Sequence, residues 1–392
     1  MTMQVTASPE AVGMSASSIH EAQALIEAAV GRTKLAGAVL IVARGDQLVL
    51  LASVGLRDRE AGAAMEPDAI FRIAWMTKPI VSVATLMLVE AGSLRLDDQV
   101  GSYLPELADV QIFAGVENGQ AILVAAERPM TISQLLTHTS GLVYGPLHPA
   151  LAAAYDILGD EPSDLAELIR RLGARPLAHQ PGAEWTYGWS HDVLGRLIEV
   201  VADQPLDEHL ETRIFKPLGM VDTGFHVPPE DVGRVAVPYQ PVNGALQPIV
   251  GAFPSVEGEA RLSGGAGLFS TGLDYLRFCR MLLRGGELDG ARLLSAHAVE
   301  RMTRNQLAFA TSALGEDGYG FGVGVSLADS PSTGKRAGTY WWSGRFDTQF
   351  WVDPATGLIV VYLEQTRPGN GHGQEFFALV SEAVNVPRVR NG

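Results

Sequence analysis

The stretch FRIAWMTKPI, residues 71–80, decides how the rest of the chain is read. It leads into IVSVATLMLVEAG, a run of helical length that closes at Gly92, a plausible C-terminal cap. The run is apolar nearly all round, which predicts a buried central helix. Lys78 stands three residues after Trp75, and residues three apart on a helix share a face. A serine at position 75 would sit beside a lysine that, as a neutral amine, could take its proton. An indole has only an N–H donor and no hydroxyl with which to attack a carbonyl. Thr77 is no substitute, because at about 100° per residue it points about 200° away from position 75.

A chain of 392 residues, 47% of them hydrophobic, can bury a large core in one big domain or two interleaved ones. Its 29 Lys and Arg against 44 Asp and Glu leave a net charge of -15. That argues against a nucleic-acid surface and against an anionic membrane face, both of which call for clustered positive charge. No apolar run approaches the roughly 18 residues of a membrane span. The start, MTMQVTASPE, has neither the basic nor the apolar region of a signal peptide, so the expectation is a cytoplasmic protein. The single cysteine, Cys279 in LRFCRMLL, reads as a buried structural thiol without a disulfide partner.

The organisation is mixed. MSASSIHEAQALIEAAV carries an apolar face at helical spacing behind a serine-rich cap. AGAVLIVARGDQLVLLASVG reads as two strands joined at Gly45-Asp46. Residues from about 100 to 250 are Pro-rich, with short helices in TISQLLTHTSG, SDLAELIRRLGA, SHDVLGRLIEVVADQ and LDEHLETRIFKPLG. The end returns to strands in GYGFGVGVSL, GTYWWSG, TQFWVDP and LIVVYLEQT, followed by a last helix in GQEFFALVSEAV. The expected fold is α/β of the α+β kind, an antiparallel sheet flanked by helices and built from residues 1–105 and 255–392. A mainly helical domain, 106–254, is inserted between them.

The nine histidines show no metal-ligand spacing, no P-loop is present, and no cofactor is called for. GWSHD at 188–192 lacks the final glycine of a nucleophile elbow. Three spaced stretches remain: WMTK at 75–78, WTYG at 185–188 and WWSG at 341–344. In order and context they resemble the motifs of the serine β-lactamase and penicillin-binding-protein fold, and most closely its family VIII carboxylesterases. That family's first motif, S-x-x-K, is usually embedded as FRIASMTKPI, which this chain matches everywhere except at Trp75. LLTHTSGL, PLGMVDTGF, SGGAGLFST and WVDPATGLIVVYLEQ resemble further family phrases, so the likeness runs from about residue 15 to the end.

The resemblance implies roles. Position 75 would be the nucleophile's, Lys78 its base, and Tyr187 the group that shares the proton and passes it to the leaving alcohol. The oxyanion hole would be the backbone N–H groups of residues 75 and 345, a pair of donors that commonly contributes about 3 kcal/mol. Trp342, Ser343 and Gly344 would stand where related enzymes carry K-T-G. Losing that lysine removes a carboxylate anchor, which favours neutral esters. Trp342, Trp189 and Tyr144 would line an apolar, aromatic pocket for a small ester or carbonyl compound. The family's Y-x-N or Y-S pattern is altered here to Tyr187-Gly188-Trp189.

Other readings of the same residues are plainer. Alone, Lys78 reads as a snorkelling lysine and Tyr187 as a packed aromatic. His138 and Ser140 in THTSG read as hydrogen-bonding scaffold, and neighbours such as His191 and Asp192 point to different faces of a helix. Ser190 stands one turn after Tyr187. Three accounts follow: an esterase lineage whose nucleophile has been replaced, a site repurposed for acid–base chemistry by Lys78 and Tyr187, and a non-catalytic binding homologue. The esterase and acyltransferase lineage is the principal expectation, with covalent hydrolysis impaired by Trp75.

Overall fold

The computed structural model describes residues 4–118, 120–145, 151, 162–256 and 261–384. Its largest sheet has eight strands, every neighbouring pair antiparallel. The order across the sheet is Asp317–Tyr319, Gly324–Ser326, Tyr340–Ser343, Gln349–Asp353, Leu358–Glu364, Gly37–Arg44, Gln47–Asp58 and Ala63–Ala64. Sequence from both ends of the chain thus meets at the pair Gly37–Arg44 and Leu358–Glu364.

Strand alternation sorts the buried residues into two layers. Val39, Ile41, Val361 and Leu363 face the core that holds Ile80, Val83 and Phe278. Leu40, Val42, Val360 and Tyr362 face the core built by Ile19, Ile26, Phe376 and Val380. Those last four belong to the helices Ala16–Gly31 and His372–Glu382, which cover the outer face. Trp351 stacks on Phe377 there, at 4.7 Å between ring centroids. The first helix is capped by Ser15, whose hydroxyl accepts from the Ser18 N–H, as the serine-rich start predicts.

The helix Thr77–Glu90 lies on the inner side of the sheet, and every residue from Thr77 to Leu86 is buried. It ends before Gly92, which has the left-handed φ of 74° that a terminating glycine supplies. Cys279 is buried in the helix Gly272–Leu283, and burial raises its thiol well above the ordinary range.

Three features differ from the sequence reading. GYGFGVGVSL is not one strand but two, Asp317–Tyr319 and Gly324–Ser326, because the chain turns back between Gly320 and Val323. Two hairpins also stand inside the stretch expected to be helical: Gln111–Glu117 with Gln120–Ala125, and Tyr239–Val242 with Ala245–Pro248. Finally, Val235 bridges Ile70 and Tyr239 bridges Thr366. These ties join residues 235 and 239, within the span 106–254 expected as the inserted domain, to residues of the two flanking spans.

Candidate active site

The chain reaches position 75 through a strained turn. Ala74 has a φ of 45°, in the left-handed region that an alanine seldom adopts and that costs about 1 kcal/mol or more. The 3-10 turn Ala74–Met76 then passes directly into the helix Thr77–Glu90. The Tyr275 hydroxyl donates to the Met76 carbonyl at 3.0 Å, and Thr77 Oγ1 accepts the Leu268 N–H at 3.2 Å. Thr77 is therefore occupied in the core, on the side its helical angle predicts.

Lys78 is fully buried. Its Nζ donates to the Gly265 carbonyl at 2.8 Å and stands 3.5 Å from the Tyr144 hydroxyl. Three aromatic rings surround it, with centroids at 4.6 Å for Tyr187, 5.7 Å for Tyr144 and 6.0 Å for Trp75. Burial pulls its ammonium down to about 7, against an opposing pull from the Asp192 carboxylate. Burial also pushes the Tyr144 and Tyr187 hydroxyls well above the usual tyrosine range, so both keep their protons at neutral pH. The Trp342 N–H approaches the Tyr187 hydroxyl and opposes part of that rise, but in strict geometry the hydroxyl has no partner among the described residues.

Tyr187 reaches this place because Gly188 lets two loops touch. A Cβ added at Gly188 would lie 2.2 Å from the Leu142 carbonyl oxygen. Gly344 does the same on the opposite wall, where a Cβ would meet Thr348 Oγ1 at 2.2 Å and the Ile73 carbonyl oxygen at 2.5 Å. The end of the strand Tyr340–Ser343 is thereby pressed against the turn that carries Trp75.

A cavity of about 340 Å³ opens between these walls, lined by Trp75, Trp185, Tyr187, Ala313, Leu314, Trp341, Trp342 and Ser343. Trp75 meets Tyr187 edge-on at 5.6 Å. A second hollow, about 370 Å³, lies at the far end of the helix Thr77–Glu90 beside Arg95 and Asp97 and holds none of these groups. Of the expected wall residues, Trp342 and Ser343 line the cavity, while Tyr144 and Trp189 do not. Tyr144 is turned inward onto Lys78, and Trp189 is buried with its ring at 75° to Tyr144. Trp185, Trp341 and Leu314 take their place. Trp185 was legible as the first residue of the WTYG motif; Leu314 carries no local signal.

A second layer supports the first. His138 and His191 are buried with ring centroids 4.9 Å apart, and His138 lies 4.7 Å from Tyr187. Burial holds both imidazoles well below their usual range, hence neutral. His191 Nε2 is 3.0 Å from Ser82 Oγ. His138 makes ring contacts only: neither nitrogen has a hydrogen-bond partner among the described residues, so the hydrogen-bonding role expected of it falls to Ser140. Ser140 Oγ is 2.9 Å from Ser190 Oγ and accepts the Leu142 N–H. Ser190 is buried in that contact and lines neither of these two cavities. Asp192, named in the sequence only as a neighbour of His191, is buried; it accepts from Ser263 Oγ at 2.6 Å and lies 3.5 Å from Arg261. Among the described residues it is the carboxylate whose charge acts on Lys78.

Among the described residues no group of three or more His, Cys, Asp or Glu could hold a metal ion, and no helix is long and apolar enough to cross a membrane.

Comparison with known proteins agrees with this architecture. The β-lactamase family model matches residues 22–384. Esterase EstB of Burkholderia gladioli is 36% identical over 390 residues, covering 91% of this chain and 93% of that protein. Among solved structures, EstCE1, described as a hydrolase with promiscuous acyltransferase activity, superposes with a TM-score of 0.80 at 26% identity, over 94% of this chain and 98% of its own. The unliganded simvastatin synthase LovD from Aspergillus terreus gives 0.82 at 25%, over 93% and 97%. A sheet joined from both termini, a lysine buried at a helix start and a sequence likeness spanning nearly the whole chain lead to one assignment: the chain belongs to the β-lactamase family, in the lineage of its esterases and acyltransferases.

Proposed function

We propose that this chain holds the acyl-transfer site of that lineage with its nucleophile replaced by Trp75, and that it binds a small ester or related carbonyl compound in the aromatic cavity. The observation that carries the reading is the pairing of Trp75 with Lys78. The indole forms part of the cavity wall while the amine behind it is drawn down by burial to about 7, within reach of its unprotonated form near neutral pH. A base tuned in this way needs a proton to take, and an indole N–H is no such donor.

With a serine at position 75 the chemistry would run as follows. The hydroxyl oxygen attacks the ester carbonyl as Lys78 takes its proton, and the carbonyl oxygen becomes an oxyanion facing the N–H groups of residues 75 and 345. The Arg345 N–H is free for that task, having no hydrogen bond among the described residues. Collapse expels the alcohol, which takes its proton from the Lys78–Tyr187 pair, and water then releases the acid by the reverse relay.

The experiment is hydrolysis of p-nitrophenyl acetate by Trp75→Ser beside the parent chain. Loss of a serine nucleophile costs about 10⁶ in turnover, so a rise of several orders of magnitude is expected. A variant that folds yet stays as slow as the parent overturns the reading.

The proton-holding hydroxyls of Tyr144 and Tyr187 around a near-neutral amine favour a second reading, acid–base chemistry without an acyl intermediate. Turnover of a ketone or aldehyde by the parent chain, abolished in Lys78→Met, would select it.

A further inference from the structure

The turn that follows Ser343 carries a charged feature which the acyl-transfer reading leaves unused. Gly344 N–H donates to Thr348 O at 2.7 Å and Asp347 N–H returns to Gly344 O, closing a tight turn with Arg345 at its tip. Thr366 N–H donates to Phe346 O at 3.1 Å, which brings the neighbouring Arg367 to the same edge. Both arginines are exposed, and neither side chain makes a hydrogen bond or ion pair among the described residues.

The nearest carboxylate in sequence is not available to them. Asp347 accepts from the side chain of Gln349 and from the Asn370 N–H. Although its side chain reaches solvent, partial desolvation and the charge of Arg367 both lower the proton affinity of Arg345, while Tyr144 raises it. Two cations thus repel each other across a short turn in a chain of net charge -15. Arg345 stands two residues beyond Ser343, which lines the aromatic cavity.

We propose that Arg345 and Arg367 form a carboxylate-binding rim beside the aromatic cavity, so that its ligand is an apolar acyl compound bearing a free carboxylate. The Trp and Tyr walls would take the apolar body, and the guanidinium groups the anion, in the paired geometry that arginine offers a carboxylate. The expectation of a neutral ester rested on the missing K-T-G lysine alone; here the charge is supplied from two other positions. The proposal rests on the reading of the cavity as the ligand site, and it is independent of whether position 75 once carried a nucleophile.

The test uses the parent chain and its own tryptophan fluorescence. It compares 3-phenylpropionate with 3-phenylpropionamide, which differ in charge and little in shape. The carboxylate should bind about tenfold more tightly at low salt, and the preference should shrink at high salt as screening grows. Arg345→Gln and Arg367→Gln should each reduce it, and the double variant should remove it. Equal affinity for the two ligands in the parent chain overturns the proposal. So does a preference that survives the double variant but is lost in Lys78→Met, since the anion would then sit on the lysine. Hydrolysis by Trp75→Ser separates the two readings: activity without carboxylate preference removes only the rim, and preference without activity removes only the acyl-transfer account.

Discussion

Lys78 is the residue at which burial and chemistry meet. Its amine titrates near 10.5 when unfolded and at about 7 in the fold, with burial the main cause. Below pH 7 both states hold the proton, and the folded state bears the whole cost of a buried charge, on the order of a few kcal/mol. Between about 7 and 10.5 only the unfolded chain holds it, so this contribution to stability rises with pH and the cost is gone above 10.5. Lys78→Met should therefore stabilise the parent chain most at or below pH 7, and the gain should fade as pH rises towards 10. Chemical denaturation across that range measures it; a difference that does not change with pH would refute the assignment. The same titration predicts that hydrolysis by Trp75→Ser climbs with pH and levels off above about 7.

At the scale of elements, glycines set how closely the walls approach. Gly188 reads in the sequence as a departure from the family's second motif. In the fold it is a contact point, with the Leu142 carbonyl oxygen 2.2 Å and Val143 Cα 2.6 Å from where a side chain would begin. Both obstacles are backbone and cannot rotate away. Gly188→Ala should cost about 1–3 kcal/mol by overpacking, and in the Trp75→Ser background it should lower turnover by moving Tyr187 from Lys78. An unchanged denaturation midpoint would show that the loops yield freely. The helix Thr77–Glu90 was legible because its apolar run has helical length and a closing glycine. The split of GYGFGVGVSL was not, because alternation of side chains looks the same in one long strand and in a tight hairpin. The strand pair Gln111–Glu117 and Gln120–Ala125 was missed for another reason: apart from the buried Ile112 it is largely exposed, so little buried face imposed a pattern on it.

On the scale of the whole molecule, motif order carried the fold. WMTK, WTYG and WWSG lie far apart in the chain, yet Trp75, Lys78, Tyr187, Trp342, Ser343 and Gly344 come together between one helix start and one strand end. Contacts made by long-range packing were not legible. Asp192 acts on Lys78 through its charge from a place where Ser263 and Arg261 hold it, and Leu314 reaches the cavity from a separate loop. Neither position has a local pattern that announces its neighbour. Tyr144 and Trp189, expected as pocket walls, instead stand inward, Tyr144 against the buried amine and Trp189 against the Tyr144 ring. What the assembled molecule lacks, on this account, is a single oxygen atom at position 75. The measurement that tests this most directly is peptide mass analysis of Trp75→Ser after brief exposure to p-nitrophenyl acetate. The account predicts one acetyl group on the peptide that contains residue 75, absent from the parent chain and from Trp75→Ser combined with Lys78→Met. A folded Trp75→Ser that takes up no acetyl group there, or takes it up equally without Lys78, would contradict it.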